Sequence, residues 1–143
     1  MALINITSAN STLRCVCPAL YPTGFDFDDF AADRMFETAA LQIKEDMMSA
    51  DGKYHAGIIF NPVELTVSLS PTSEAGANLD TWYNAEKVTM AAFSCNLTLT
   101  VPALDATWNF VNGVLYSWNP NPAGARVLQP RQAVFHFESV TRS

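Results

Sequence analysis

The chain predicts a mainly β fold, an antiparallel sandwich or barrel with one flanking helix over about 71–86. Three observations predict it. Val63-Glu64-Leu65-Thr66-Val67-Ser68-Leu69 alternates without error, and period 2 over seven residues argues a half-buried strand. Asp51-Gly52 lies between two runs that can alternate, the strongest short-range hairpin signal. Between these strands and the next lies a single helical stripe: Ala75, Leu79, Trp82 and Tyr83, opened by Ser70 as N-cap with Pro71 at the first helical position.

The remaining elements follow in order. Leu3 to Thr7 is a short strand candidate, and Leu13 to Leu20 is a second, with Leu13, Cys15 and Cys17 on one face. Tyr21-Pro22-Thr23-Gly24 ends it. An irregular loop over about 21–36 interleaves Phe25, Phe27 and Phe30 with Asp26, Asp28, Asp29 and Asp33. It lacks the glycine and closing glutamate of a calcium loop. Aromatic anchors in a polar surround suit an interface, so Phe25, Phe27 and Phe30 are candidates for contacts between subunits. The segment from Met35 to Met48 fits a helix through Phe36, Ala40, Ile43 and Met47, but the turn at Asp51-Gly52 argues strand from about Leu41. Asn61-Pro62 breaks the strand after that turn.

Beyond the helix, Phe93, Cys95, Leu97, Leu99 and Val101 alternate with Ser94, Asn96, Thr98 and Thr100 until Pro102 stops the strand. Ala106 to Val111 is a short strand, and Asn112-Gly113 is a second two-residue hairpin signal leading into Val114 to Trp118. Asn119-Pro120-Asn121-Pro122 is a rigid connector. Ala133, Phe135 and Phe137, set against Val134, His136, Glu138 and Val140, make a last strand with both faces partly apolar, suited to burial on two sides or at a subunit contact. The sum is eight or nine short strands in one domain spanning 1–143.

Composition narrows the function. At 143 residues and 49% apolar, the chain can build one core. A net charge of −6, with only eight basic residues and no basic cluster, excludes binding nucleic acid through its phosphates. No run approaches the ~20 apolar residues of a membrane span. The N-terminus lacks a basic, long-apolar secretory pattern, so folding in the cytoplasm is expected, and the three glycosylation-like triplets at Asn5, Asn10 and Asn96 are chance matches. Cys15, Cys17 and Cys95 read as buried small hydrophobes and lack zinc-like spacing. His55 and His136 lie in strand patterns with no nucleophile or acid tied to them, and no phosphate loop or nucleophile elbow occurs. Catalytic, metal and cofactor sites are therefore expected to be absent. The polar strand faces say more. Glu64, Thr66, Ser68, Asn96, Thr98 and Thr100 are small or acidic and never basic, which suits the wall of a channel that something negative crosses without sticking.

The order of these motifs resembles the tail tube proteins of contractile-tailed bacteriophages. It rests on the hairpin closed by Ala50-Asp51-Gly52-Lys53, then Asn61, then Leu65-Thr66-Val67-Ser68-Leu69-Ser70-Pro71-Thr72-Ser73-Glu74, then Leu79, Asn112-Gly113 and Val134-Phe135-His136-Phe137, over roughly 36–140. The resemblance implies six subunits closing into a ring whose sheets join as a continuous barrel. Rings stack into a tube, a sheath protein surrounds it, and the tape measure protein fills it before double-stranded DNA passes. It places the protein in the virion tail, assembled in the host cytoplasm, with Glu64, Thr66, Ser68, Asn96, Thr98 and Thr100 as lumen-facing candidates. A baseplate or tail-end adaptor, or the tube of a related injection machine, is the alternative. A small β-barrel taking an apolar ligand among Phe25, Phe27, Phe30, Trp82, Trp108 and Trp118 is a reading from a different class.

Overall fold

The computed structural model describes residues 3, 11–28, 30 and 35–143. Of the strand expected from Leu3 to Thr7 all but Leu3 lies outside them, as do the acidic residues Asp29 and Asp33. Among the described residues the strands are β1 (Thr12–Cys17), β2 (Tyr21–Asp26), β3 (Phe36–Thr38), β4 (Lys44–Met48), β5 (Tyr54–Ile58), β6 (Val63–Leu69), β7 (Cys95–Val101), β8 (Ala106–Trp118) and β9 (Arg131–Arg142), with one α-helix, α1 (Glu74–Thr89). The expected mainly antiparallel β fold with one helix is what forms. Seven strands make one sheet in the order β2-β1-β7-β8-β9-β6-β3, and β4-β5 stand apart as a two-stranded hairpin.

One sheet encloses a core because it bends. The inward positions of β8 step from Phe110 to Gly113, and those of β9 from Phe137 to Val140, three residues instead of two. The β8-β9 register runs unbroken through this step, while β8 carries an extra residue against β7 between Cys95 and Leu97, a bulge at which both long strands change direction together. Asn112, at the step, is left-handed with φ 54°, a conformation Asn tolerates better than most residues. Its N–H is satisfied by Asn96 Oδ1 at 2.8 Å, and its own amide donates to Glu138 Oε2 at 2.9 Å. A Cβ on Gly113 would lie 2.1 Å from Phe137 Cδ1, so only glycine lets the two strands meet there. The hairpin expected at Asn112-Gly113 therefore does not form. Both sides of the pair bond to β9, and the chain runs straight on to Trp118.

The two halves of the bent sheet share one core. Leu13, Cys15 and Cys17 of β1 and Cys95, Leu97 and Leu99 of β7 come from one half, and Leu65, Val67, Ala133 and Phe135 from the other. Helix α1 packs on it through Ala75, Leu79 and Trp82, with the Trp82 ring 6.1 Å from Phe135. Tyr83, expected in that stripe, is 41% exposed. The helix also starts later than expected. Ser70-Pro71-Thr72 forms a turn, and Ser73 is the N-cap, its Oγ accepting the Gly76 N–H. Asp28 wins the cap for Ser73: the Ser73 hydroxyl donates to it at 2.9 Å, and its Oδ1 accepts the Ala75 N–H at 3.1 Å. The end moves from Glu86 to Thr89, closed by left-handed Met90.

Gly113→Ala is expected to lower stability by roughly 2–4 kcal/mol, because overpacking against Phe137 cannot relax without opening the bend. Urea unfolding of the purified chain measures it.

Candidate functional site

The sheet has one outward face. Glu64 of β6 sits opposite His136 of β9, and Thr66 opposite Val134. Across the sheet, Thr98 lies between Arg14 and Asn109, and Thr100 between Thr12 and Thr107. Glu64 and Thr66 thus lie on the outward side of one half of the sheet, and Asn96, Thr98 and Thr100 on the outward side of the other, with β8 and β9 between them. Ser68 departs from the expectation. It is 7% exposed, and its backbone N–H bonds the carbonyl of Met35, which runs alongside β6, at 3.0 Å.

This face is polar, but not free of basic groups. Arg14 stands beside Thr98, where its guanidinium donates to Asp26 Oδ1 at 3.2 Å and to the Thr23 carbonyl. Asp26 thereby cancels its charge locally. On the other half, His136 stacks on Tyr116 with ring centroids 3.8 Å apart, and its Nε2 lies 3.8 Å from Glu64 Oε2. Thr98 Oγ1 donates to Asn109 Oδ1 at 3.4 Å, and Asn109 donates to Ser143 at 3.0 Å. Much of the hydrogen-bonding capacity is thus used within the face.

The β4-β5 hairpin differs in kind. Every residue of both strands is exposed. Met48, Tyr54 and Ile58 share one face, and Met47 lies on the other with His55. Met47, Met48, Tyr54 and Ile58 are each more than 60% exposed, and Phe60 just beyond is 94% exposed. The turn is built as the sequence predicts, with Gly52 at φ 87° and its N–H bonded to Ser49 O at 2.9 Å. So much uncovered apolar surface on a protruding ribbon marks an interaction site.

The three phenylalanines do not form an exposed cluster. Residues 21–26, expected as loop, form β2 and pair with β1. Phe27 is 4% exposed, with its ring 6.0 Å from Phe135, and its N–H bonds Leu13 O at 2.8 Å. Phe25 packs between Tyr21 and Phe27, and Phe30 against Phe36. The apolar side chains satisfy the chain's own core first, which removes Phe27 as an anchor and leaves Phe25 and Phe30 half-covered. Trp82, read as a possible pocket lining, fills the core, while Trp108 and Trp118 pack at its margin.

Cys15, Cys17 and Cys95 are free and buried, and among the described residues no three His, Cys, Asp or Glu side chains stand together as a metal site. A hydrogen bond with Cys95, then burial, pushes the Cys15 thiol far up, which makes its thiolate scarce.

Spacing does not reveal a node at the helix. Arg131 is buried, with its guanidinium 4.2 Å over the Trp118 ring, paired with Asp80, and bonded through Nε to Asn119 O at 3.1 Å and through Nη2 to Pro120 O at 3.2 Å. Trp118 Nε1 donates to the same Asp80 Oδ1 at 2.8 Å. Its only trace in the sequence is an arginine opening an apolar strand.

A family model described as tail fiber protein gp32 matches residues 4–141. The chain belongs to that family. No curated protein matches it. Among solved structures, this family member is similar to a chain of the sheath-tube complex of the extracellular contractile injection system PVC in its extended state. The identity is 12%, the TM-score is 0.62, and the match covers 97% of this chain and 91% of that one. It is similar also to a chain of the six-fold symmetrised baseplate of the anti-feeding prophage, at 12% identity and TM-score 0.59, covering 100% and 97%. A third is a chain of that prophage's tube-terminating cap, at 16% identity and TM-score 0.56, covering 100% and 93%. At such identities the likeness is one of fold.

Phe27→Ala is expected to destabilise the isolated chain by about 3–5 kcal/mol, since it empties a filled core position. A thermal melt checks it.

Proposed function

We propose that this chain is a structural virion protein that assembles into hexameric rings stacked as an inner tail tube, the conduit for genome ejection. The observation that carries the reading is the β4-β5 hairpin, whose exposed Met47, Met48, Tyr54 and Ile58 have no cover among the described residues. Self-association supplies that cover. It also pairs the open edges at β2 and β3, so that neighbouring sheets continue into one barrel. Membership of a tail protein family and the fold shared with chains of a sheath-tube complex, a baseplate and a cap support a place in a tail.

In this assembly Glu64, Thr66, Asn96, Thr98 and Thr100 face the lumen. Net charge −6 and a small polar wall let double-stranded DNA pass without specific binding. The partners are further copies of the chain, a tail sheath protein outside and a tape measure protein inside. Assembly takes place in the host cytoplasm, and the product resides in the virion tail. The chain supplies shape and association, with no reaction of its own.

A second reading is an adaptor ring at the baseplate or tail end, or a ring of a related contractile injection machine. The family's description as a tail fiber protein and the likeness to baseplate and cap chains favour it. Labelled antibodies on intact particles separate the two: decoration along the tail supports the tube, and decoration confined to one end supports the adaptor.

Electron microscopy of purified protein at high concentration tests the core of the proposal. Rings or tubes are expected, and persistent monomers overturn it. Met47→Asp and Ile58→Asp are each expected to abolish assembly while leaving monomer stability within about 0.5 kcal/mol of the parent. Sedimentation and a thermal melt measure the pair of effects. Glu64→Lys is expected to fold and assemble but to slow DNA delivery, by holding phosphates at the wall. Infection kinetics read this, and an unchanged rate places Glu64 away from the lumen.

A further inference from the structure

The connector between β8 and β9 is a built structure. Its base is clamped by Arg131, which bonds the carbonyls of Asn119 and Pro120 while stacked on Trp118. Further out, Gly124 and Leu128 form an antiparallel bridge, and Gln129 N bonds Ala123 O at 2.9 Å. This frame presents Arg126, Val127 and Leu128 to solvent, with Val127 71% and Leu128 58% exposed. Ordered aliphatic side chains beside a charge, held off the body of the protein, are the composition of a recognition tip.

A matching surface lies on the outward face at the bend. A groove of about 360 Å³ there is lined by Phe60, Pro62, Val114, His136, Phe137 and Glu138. Glu138 is exposed and accepts only the Asn112 amide among the described residues. Charge sorts the candidates for the groove. Copies carrying −6 repel each other on average, so a contact between them needs a cation from one set against an anion of the next. Arg14, Lys53 and Arg131 are spent on Asp26, Asp51 and Asp80. Lys87 and Arg142 lie over aromatic rings. Among the described residues Arg126 and Lys44 keep their charge uncommitted; Lys44 lies on the β4-β5 ribbon opposite exposed Ile58, and Arg126 sits beside exposed Val127 and Leu128 on the clamped loop. The loop does not serve its own groove. Five residue steps along β8 part Trp118 from Gly113, roughly 17 Å at ~3.3 Å each, and the tip's exposure shows that it does not fold back.

We infer that the Arg126-Val127-Leu128 tip of one copy docks in the Phe60–Glu138 groove of the next, with Val127 and Leu128 against its apolar wall and Arg126 on Glu138. Two different patches meet in this contact, so it is heterologous and propagates to a third copy, closing into a ring when the rotation allows. The inference rests on the self-assembly proposed above and specifies one of its contacts.

A double-mutant cycle tests it, with sedimentation giving the concentration for half-assembly. Arg126→Ala is expected to raise that concentration about tenfold. Glu138→Gln, which keeps an acceptor for Asn112, should do the same, and the double variant should add little. Arg126→Glu should block assembly, and Arg126→Glu with Glu138→Arg should restore it. A parent chain that stays monomeric overturns the self-assembly reading itself. A parent that assembles, with single variants that match it, or with effects that simply add and no rescue on reversal, overturns this contact and leaves self-assembly standing.

Discussion

The contact of Gly113 with the ring of Phe137 is the constraint on which the rest depends. Without it, seven antiparallel strands would lie as an open sheet with one apolar face in water. Because β8 carries an extra residue against β7 there, and β9 follows it in register, the sheet turns on itself and its halves become two walls of one core. The close approach is steric, but polar groups hold it. Asn96 and Glu138 complete the hydrogen bonds of Asn112, so the strained residue leaves no backbone donor unpaired. A residue that would read as a polar face position, Asn96, is thus also a structural support.

The helix closes the core and is tied at three points by carboxylates, two of them to groups distant in sequence. Asp28 caps its start. Asp80 at its middle joins Arg131 and Trp118. Near its end Glu86 accepts both the Trp82 indole N–H at 2.7 Å and the Phe93 N–H at 3.0 Å. All three carboxylates receive hydrogen bonds from more than one donor, so an acidic chain puts part of its charge to work inside its own fold. The same ties hold the β8-β9 connector in a defined shape.

What the fold leaves uncovered is uneven. The core is closed, yet the β4-β5 ribbon carries methionines, a tyrosine and an isoleucine into solvent, and a clamped loop does the same with a valine and a leucine. A chain that buries Phe27, Trp82 and Phe135 so completely does not expose these for want of a core. Their exposure fits a subunit whose surface is finished by its neighbours. The broad face between them is polar, with its one arginine cancelled by Asp26 and its histidine held between Tyr116 and Glu64.

Patterns with short reach were legible in the sequence. Strict alternation placed β6 to the residue and β7 closely, Asp51-Gly52 placed the hairpin, and the apolar stripe placed the helix, because each signal arises from neighbours a few residues apart. The outward set Glu64, Thr66, Asn96, Thr98 and Thr100 followed from that alternation. Tertiary structure decided what depends on distant partners. Asn112-Gly113 carries the local signature of a reversal, yet Phe137 turned it into a bend. Ser68 alternates outward, yet it is buried, with the chain at Met35 alongside. Phe27 sits among acids in sequence, yet Phe135 lies across the core to receive it. Ser70-Pro71 reads as a helix start, yet Asp28 holds Ser73 in that role. Periodicity records which way a side chain points along its own strand or helix, and only the packed fold determines what it meets there.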